Sequence, residues 1–404
     1  MPAGSIEKMK YALSYGADAV YLGLSDFSLR ALRKGELIDE TNLSRSVRIA
    51  ESLQKKVYCT LNIFAYDDDI KKLYQTLDII KDAKPHALII SDFGIFRIVR
   101  KYLADIDIHI STQTNTLNSE AVKFYRDLGA SRVILARELS YKQIEKIRKE
   151  VADIELETFI HGAQCMAYSG RCLLSDYLTQ GKRKANQGLC AQACRWSYKL
   201  VEETRPEQYY EIVEDDKGSH IMSTKDLCLV KHVRELSQLG IDSLKVEGRT
   251  KSLYYVSGVA KAYRKVLDGV LSADDAYLEL KKTGNRGFTQ GFFLGDNNST
   301  SYSYDISKGL AGADFLGIFQ EKTGDNTYKL LMKNKVLLND KVEIITPNYS
   351  TGAVVTRIEH PKKGEIDTAN TNDEINLTFD CETKDWVCES NWALLRTKGI
   401  KECF

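Results

Sequence analysis

The chain has 404 residues, 43% hydrophobic and 28% charged, which is long enough for a large domain with a smaller companion. Its net charge of +1 excludes a global attraction to nucleic acid or anionic membranes, so any polyanion would need a local basic patch. Nine cysteines, an odd number, argue against a disulfide framework. The N-terminus lacks the apolar run of a signal peptide, and no stretch approaches the ~20 apolar residues of a membrane span. We therefore expect a soluble, cytoplasmic protein with no membrane partner.

The N-terminal two-thirds of the chain repeats a helix, a glycine and an apolar strand. The three copies are SYGADAVYLG around Gly16, DLGASRVILA around Gly129 and QLGIDSLKVE around Gly240. In each copy an amphipathic helix reaches a glycine suited to the left-handed C-cap, and an apolar strand follows at once. Ser140 and Gln143 form a capping box at the start of one helix. The repeat is typical of βαβ units in a parallel sheet.

Seven short apolar segments are predicted to be parallel strands buried on both faces. They are Ala19–Gly23, Val57–Phe64, Ala87–Ser91, Ile106–Thr112, Arg132–Ala136, Glu157–His161 and Ser243–Val246. A closed (β/α)8 barrel needs an eighth strand, and only Met1–Gly4 remain before the first helix. We therefore expect an α/β fold, a TIM-like barrel with a truncated first strand. An open doubly wound sheet is the competing architecture.

After about residue 300 the sequence becomes β-rich, with Gly, Asn and Asp turns between short segments. The strands predicted there are Phe315–Gln320, Tyr328–Met332, Val342–Thr346, Thr351–Ile358 and Glu374–Phe379. They indicate a small antiparallel β-barrel or sandwich. The expected organisation is a barrel domain over residues 1–300, with an insertion at about 162–221, and a C-terminal β-barrel domain over residues 301–404.

The cysteines cluster in and just after that insertion, with the spacing Cys165-x6-Cys172-x17-Cys190-x3-Cys194-x33-Cys228. Converging thiolates suit an iron–sulfur cluster or structural zinc. The tight Cys-x2-Cys knuckle that zinc favours is absent, so the spacing favours an iron–sulfur cluster, with zinc and packed or regulatory thiols as alternatives. Five cysteines for four positions leave the last ligand open.

Polar residues at the predicted strand ends are candidates for the active site, since barrel enzymes carry it there. Lys245, Glu247 and Arg249 alternate along the last strand and predict an anion site, with Arg249 as a bidentate clamp for a carboxylate. A structural ion pair at the barrel rim is the alternative. His161 is either a catalytic residue or a hydrogen-bonded rim histidine. Substrate-binding candidates at other strand ends are Gln113, Asn115 and Arg137.

The insertion also carries basic residues near an aromatic side chain. They are Lys182, Arg183 and Lys184, with Arg195 next to Trp196 after the cysteines. Such a set suits contacts to a phosphate backbone and stacking on a base, and a solvated charge run is the alternative. Its position beside the proposed cluster favours a role in binding RNA.

Three long motifs in order resemble the peptidase U32 family: ETFIHGAQCMAYSGRCLLS over 157–175, NQGLCAQACRW, and SLKVEGRTKS. The resemblance extends over the openings PAG and GADAVYLG, the segment STKDL, NRGFTQGF at Asn285–Phe292, and the β-rich C-terminal part. Members were named peptidases or collagenases, but several look like oxygen-independent hydroxylases that carry a 4Fe-4S cluster. The branch that this chain resembles most hydroxylates tRNA.

The resemblance implies an enzyme that makes 5-hydroxyuridine at the wobble position of tRNA, with prephenate as a small anionic co-substrate and an electron donor as a further partner. Cys165, Cys172 and Cys190 match cluster ligands of the family, and the fourth is Cys228 in one branch and Cys194 in another. The family barrel begins with a strand that ends in PAG, which here follows Met1 directly.

Two other functions are weighed against hydroxylation. A peptidase needs a nucleophile or a hydrolytic metal, and the sequence has neither HExxH nor GxSxG, which leaves only a Cys165–His161 pair. A zinc-stabilised RNA-binding protein is the third possibility. Metal analysis separates it from the hydroxylase.

Overall fold

The computed structural model of the chain describes residues 1–24, 27–28, 40–165, 167–168, 172–180, 182–183, 190–193, 200–201, 209–210, 214–215, 218–219, 224–248, 251–295, 311–381, 383 and 385–399. Four of the predicted site residues lie outside these ranges: Lys184, Cys194, Arg195 and Arg249.

Helices and strands alternate through the first part of the described chain. The helices, α1 to α10, are Ile6–Ser14, Glu40–Ser52, Asp67–Ala83, Phe93–Tyr102, Ser119–Asp127, Tyr141–Glu150, Leu174–Leu178, Val233–Gln238, Leu253–Leu267 and Ala273–Lys281. The strands, β1 to β22, are Ala19–Gly23, Lys56–Leu61, Ala87–Ile90, Ile108–Ile110, Arg132–Ile134, Glu155–Gly162, Leu200–Val201, Tyr209–Tyr210, Glu214–Asp215, Gly218–Ser219, Asp226–Cys228, Ser243–Val246, Phe288–Thr289, Phe315–Gly324, Thr327–Met332, Val336–Leu337, Lys341–Ile345, Ser350–His360, Gly364–Glu365, Thr368–Ala369, Glu374–Cys381 and Leu394–Thr397. Thr112–Thr114 and Asp385–Trp392 are 3-10 helices. No helix in the described ranges combines the length and the apolarity that a bilayer crossing requires.

The parallel strands form the predicted TIM-like barrel. β1 to β6 pair in chain order, and β12 pairs with β6 in parallel, so all seven predicted strands are confirmed. A doubly wound sheet would reverse its strand order at a switch point, and this sheet does not. The open-sheet alternative is therefore wrong.

The segment before α1 lies beside β1. Pro2 bridges Tyr21 in parallel, and the Ala3 amide donates to the Tyr21 carbonyl at 3.0 Å. The Tyr21 hydroxyl donates to the Val246 carbonyl of β12 at 2.9 Å. The expected short first strand is thus present as a parallel pairing limited to Met1–Ala3, and a side chain of β1 reaches β12.

Local sequence signals set the ends of the barrel helices. The Ser140 amide donates to Gln143 Oε1 at 2.8 Å, which is the predicted capping box of α6. The three predicted C-cap glycines, Gly16, Gly129 and Gly240, have φ values of +108°, +91° and +83°. Only glycine adopts such angles without strain, so these positions let a strand follow its helix at once.

The C-terminal strands form a closed antiparallel barrel, in the order β17-β22-β14-β15-β21-β18, with β17 pairing back to β18. All five predicted strands are confirmed, whereas β22 was not predicted. Leu330, Trp386 and Phe379 belong to the buried core of this C-terminal barrel. Of the two predicted architectures, the barrel is the correct one.

By contacts, the chain divides into two compact units. The first comprises Met1–Leu13, Asp18–Lys251 and Asn285–Gly309, and the second Ser14–Ala17, Ser252–Gly284 and Leu310–Phe404. Helices α9 and α10 therefore belong with the C-terminal strands. The buried Arg396 of β22 donates to Glu343 at 2.9 Å, to Glu279 of α10 at 2.7 Å and to the Tyr254 hydroxyl of α9 at 3.2 Å. These bonds tie the two helices to the strands within the second unit.

Candidate active site

One of the predicted site residues, His161, lies at the carboxyl end of β6. His161 is the penultimate residue of β6, is buried, and has its ring centroid 5.4 Å from that of Phe288. Burial lowers the pKa of His161 to about 3, with Lys251 adding to the shift and Asp226 opposing it. The imidazole is therefore neutral at pH 7.

Glu247 is fixed beside His161 by a close approach of two backbones. The Glu247 amide donates to the His161 carbonyl at 2.8 Å, and its side chain is buried. Gly162 has a φ of +107°, and a Cβ there would overlap with the Glu247 carbonyl. Glycine is required at this position both for the backbone angle and for the space. Glu247 therefore lies next to the end of β6, as predicted for a polar residue at a strand end.

Lys245 lies deeper in the barrel and has a carboxylate partner. Its Nζ is 2.5 Å from Glu157 Oε1 and 4.3 Å from the ring centroid of Tyr21. Arg132 Nη1 binds the other oxygen of Glu157 at 3.1 Å, and the Ser243 hydroxyl donates to it at 2.7 Å. Burial lowers the pKa of Lys245, and Glu157 works against that shift. Lys245 is thus in an ion pair, as the alternative interpretation has it, but inside the barrel rather than at its rim.

Arg137 supports the segment that leads from β6 into the cysteine-bearing insertion. Its Nη1 donates to the Ala163 carbonyl at 2.9 Å, and its guanidinium carbon lies 4.2 Å from the ring centroid of Phe159. Stacking and hydrogen bonding together fix the plane of the guanidinium. Arg137 therefore holds the backbone at Ala163, which lies two residues before Cys165.

Gln113 and Asn115 lie in and after the 3-10 helix that follows β4. The Gln113 amide donates to Ser111 Oγ at 3.3 Å. Asn115 has a φ of 61°, and its buried Oδ1 has no hydrogen-bond partner within the described ranges. A buried acceptor on a left-handed backbone costs free energy, and such positions cluster at functional sites. Asn115 therefore stays a ligand-binding candidate.

Ser175 of α7 joins two parts of the insertion that carry cysteines and basic residues. Its hydroxyl donates to the Arg183 carbonyl at 2.7 Å and accepts from the Ala191 amide at 2.8 Å. Arg183 Nη2 donates to the Cys190 carbonyl at 3.2 Å, so this arginine is tied to a cysteine-bearing segment. Lys182 and Arg183 are both exposed. The structure thus brings Arg183 next to Cys190.

The described cysteines of the predicted set differ in exposure. Cys165 and Cys190 are exposed, Cys172 is half-buried, and Cys228 is buried on β11 opposite His161. The thiols fit an iron–sulfur cluster in donor type, because soft thiolates are its protein ligands. Within the described ranges, however, no three Cys, His, Asp or Glu side chains converge on a metal position. The described side chains therefore define no cluster position by themselves.

Asp226 is the centre of an ion cluster that the sequence analysis did not select. Its carboxylate is fully buried on β11, with Oδ1 at 2.6 Å from Arg286 Nη2 and Oδ2 at 3.4 Å from Lys251 Nζ. Burial alone raises the pKa of Asp226, but Arg286 and Lys251 outweigh it and lower the pKa. The signal was available, since these three residues lie in STKDL, NRGFTQGF and SLKVEGRTKS. Each motif contributes one charge to the cluster.

Fold and site together define a TIM-like barrel with a cysteine-bearing insertion at the carboxyl end of β6 and a separate C-terminal β-barrel. Two family models match the chain: peptidase family U32 over residues 4–303, and the peptidase family U32 C-terminal domain over residues 312–387. The protein belongs to peptidase family U32, as the sequence motifs predicted.

Relatives of this chain carry different functional names. The tRNA hydroxylation protein P of Haemophilus influenzae is 37% identical, with 94% of each chain covered. The 23S rRNA 5-hydroxycytidine C2501 synthase of Escherichia coli is 33% identical over 77% of this chain and 46% of its own. The collagenase of Porphyromonas gingivalis is 29% identical over 89% of this chain and 88% of its own.

Proposed function

We propose that this protein is an RNA-modifying enzyme that hydroxylates tRNA, forming 5-hydroxyuridine at the wobble position. The observation that carries the proposal is the match of 37% identity over 94% of both chains to a protein named for tRNA hydroxylation. A second relative named for hydroxylation acts on a pyrimidine of ribosomal RNA. Both names describe the hydroxylation of an RNA, and the proposal places the hydroxyl group on a pyrimidine base.

The proposed RNA contact is the insertion after β6. Lys182 and Arg183 are exposed there, and the bonds of Arg183 to Ser175 and to the Cys190 carbonyl keep Arg183 next to Cys190. Exposed basic side chains bind phosphates whatever the sequence, so they would position the tRNA rather than select the base. Lys184 and Arg195 are proposed to extend this surface, with tRNA as the partner and the cytoplasm as the place of reaction.

The proposed redox cofactor is a 4Fe-4S cluster held by Cys165, Cys172 and Cys190, with Cys228 or Cys194 as the fourth ligand. Such a cluster would supply one-electron chemistry. Replacing C–H by C–OH without oxygen removes two electrons from the base, so the proposed redox partner is an electron acceptor, in place of the electron donor that the resemblance implies. Three of these thiols are exposed or half-buried on one insertion, so they are accessible for assembly.

In this proposal the side chains of the protein bind and orient the substrates. Arg249 is the proposed clamp for a carboxylate of prephenate, the small anionic co-substrate, because a guanidinium binds a carboxylate at two points. Neutral His161 and buried Glu247 lie side by side at the end of β6 and are the proposed groups for moving a proton. Gln113, Asn115 and Arg137 are proposed to complete substrate binding.

A peptidase is the second candidate, because one relative is named collagenase. It would use Cys165 with His161 as nucleophile and base. His161 is buried while Cys165 is exposed, which is unfavourable for such a pair. A zinc-stabilised RNA-binding protein would use the same thiols without redox chemistry.

The decisive experiment is nucleoside mass spectrometry of tRNA from a deletion strain. We expect 5-hydroxyuridine-type nucleosides to disappear and to return on complementation with the wild-type gene. Arg249→Lys should reduce their level while RNA affinity is retained, and Cys172→Ala should abolish them. An unchanged nucleoside profile in the deletion strain, together with collagen cleavage by the purified protein, would favour the peptidase instead.

A further inference from the structure

Helix α7 of the cysteine-bearing insertion exposes its apolar side chains and buries a polar one. Leu173, at the N-cap, and Tyr177 lie one turn apart, and they are 71% and 80% exposed. Leu174 is 40% exposed, whereas Ser175 is 1% exposed. A surface helix normally turns its apolar side chains inward and its polar ones to solvent, so the orientation of α7 is the reverse of the usual one.

Hydroxyl groups on the inward side of α7 fix this orientation. The Ser175 hydroxyl donates to the Arg183 carbonyl at 2.7 Å and accepts from the Ala191 amide at 2.8 Å. The Thr179 hydroxyl donates to the Ser175 carbonyl at 2.7 Å and accepts from the Arg183 amide at 3.0 Å. Rotating the helix to bury Tyr177 would carry both hydroxyls away from these partners. The exposure of the tyrosine ring is therefore built into the insertion.

The charged groups that accompany the exposed ring are basic. The Gln180 amide donates to the Tyr177 carbonyl at 3.3 Å and the Lys182 amide to the Thr179 carbonyl at 3.1 Å, so the chain makes two successive turns directly after α7. Among the charged residues described between 172 and 183, Lys182 and Arg183 are exposed and Asp176 is half-buried. The surface at α7 thus combines an apolar ring with positive charge.

This combination fits an unpaired nucleotide better than the other classes of partner. An unpaired base offers a flat ring that stacks on an aromatic side chain, and its flanking phosphates pair with basic groups. In double-stranded RNA the bases are already stacked on each other, so only the phosphates would be used. A purely apolar protein surface would cover Tyr177 and Leu173 but leave Lys182 and Arg183 without acidic partners.

We propose that Tyr177 is a stacking platform for an unpaired base of the RNA, bordered by Leu173 and flanked by Lys182 and Arg183 for the adjacent phosphates. The platform begins directly after Cys172, so it would hold the bound nucleotide beside the cysteine-bearing segment. The inference rests on the proposed function, because it takes the RNA substrate of that function as the occupant. It adds a contact to a base where the exposed basic residues alone would contact phosphates.

The test measures RNA binding by the purified full-length protein with fluorescence anisotropy. The probes are a tRNA anticodon stem-loop, which has unpaired bases, and a blunt RNA duplex of equal charge. Tyr177→Ala should bind the stem-loop about tenfold more weakly and the duplex as the wild type does, with an unchanged dependence on salt. Lys182→Ala should weaken both probes alike and lower the slope of log K against log salt by about 1.

Two matched variants control for the ring and for exposure. Tyr177→Phe keeps the ring and should bind the stem-loop as the wild type does. Phe124→Ala removes a ring that is 53% exposed on α5, outside the insertion, and should also bind as the wild type does. Because Tyr177 is exposed, Tyr177→Ala should keep the wild-type melting temperature.

The proposal is overturned if the wild type binds stem-loop and duplex equally, if Tyr177→Ala binds the stem-loop unchanged, or if Tyr177→Phe is as weak as Tyr177→Ala. Self-association of the wild type that Tyr177→Ala abolishes, seen by sedimentation, would assign the surface to a second copy instead.

The outcome is separable from that of the proposed function. Stem-loop binding through Tyr177, with hydroxylated nucleosides still present in the deletion strain, would refute the proposed function and keep the RNA contact. Loss of those nucleosides in the deletion strain, with unchanged stem-loop binding by Tyr177→Ala, would refute the stacking platform alone.

Discussion

Lys245 and Glu157 form a buried ion pair inside the barrel, with 2.5 Å between Nζ and Oε1. The two residues come from β12 and β6, which pair in parallel. Arg132 and Ser243 bind the second oxygen of Glu157, so the carboxylate has three partners. The group is a candidate for holding β5, β6 and β12 in register, because each of these strands contributes a side chain to it.

Lys245→Met should therefore destabilise the protein. Removing one partner of a buried pair leaves an uncompensated charge, and the expected loss is about 3 kcal/mol, at the low end of the usual range because Arg132 remains. Lys149→Met removes the exposed pair with Glu145 on α6 and should cost about 0.3–0.5 kcal/mol. Urea unfolding measures the change in unfolding free energy of both variants. Equal stability with lost hydroxylation in Lys245→Met would instead support the role of Lys245 in the predicted anion site of the active site.

The same pair predicts how stability depends on pH. Burial raises the pKa of Glu157, but Lys245 and Arg132 outweigh this effect, so the pKa falls to about 2. An unfolded glutamate has a pKa of about 4.3, so the folded state favours the ionised form and this stabilisation is complete above about pH 4.3. It should decline as the pH falls towards 2. The difference in unfolding free energy between the wild type and Glu157→Gln should shrink over that range, and a constant difference would contradict the assignment.

Gly162→Ala should disturb the candidate active site directly. The added Cβ would overlap with the Glu247 carbonyl on a backbone with φ of +107°, so the two strand ends must separate. We expect a loss of at least about 2 kcal/mol in unfolding free energy and a loss of activity. Gly284→Ala is the control, since its Cβ would meet nothing within 4 Å, and it should change stability by less than about 0.5 kcal/mol.

Metal content separates the proposed cluster from structural zinc. Protein purified without oxygen should contain about four irons and four sulfides per chain. Cys172→Ala should lose them, whereas Cys388→Ser, an exposed cysteine of the second unit, should keep them. Comparing Cys194→Ala with Cys228→Ala identifies the fourth ligand. The cysteine whose substitution causes the loss of iron is that ligand. Stoichiometric zinc without sulfide in the wild type would refute the cluster.

The sequence by itself determined the order of the elements and the class of fold. Helix period, C-cap glycines and short apolar strands are local signals. They were sufficient to predict the seven parallel strands of the barrel and five strands of the C-terminal part. β22 was missed because Leu394–Thr397 is short and has no turn signal that separates it from the preceding 3-10 helix. The three long sequence motifs were also sufficient to identify the family.

Only the tertiary structure decided which polar side chains meet. Lys245 contacts Glu157 across 88 positions of sequence, and Arg286 contacts Asp226 across 60. The alternation of Lys245 and Glu247 suggested one shared face, yet the register between β12 and β6 shifts after Lys245, so this lysine pairs deep in the barrel while Glu247 reaches its end. Such pairings depend on strand register and on the return of distant segments, and neither is encoded in the residues nearby.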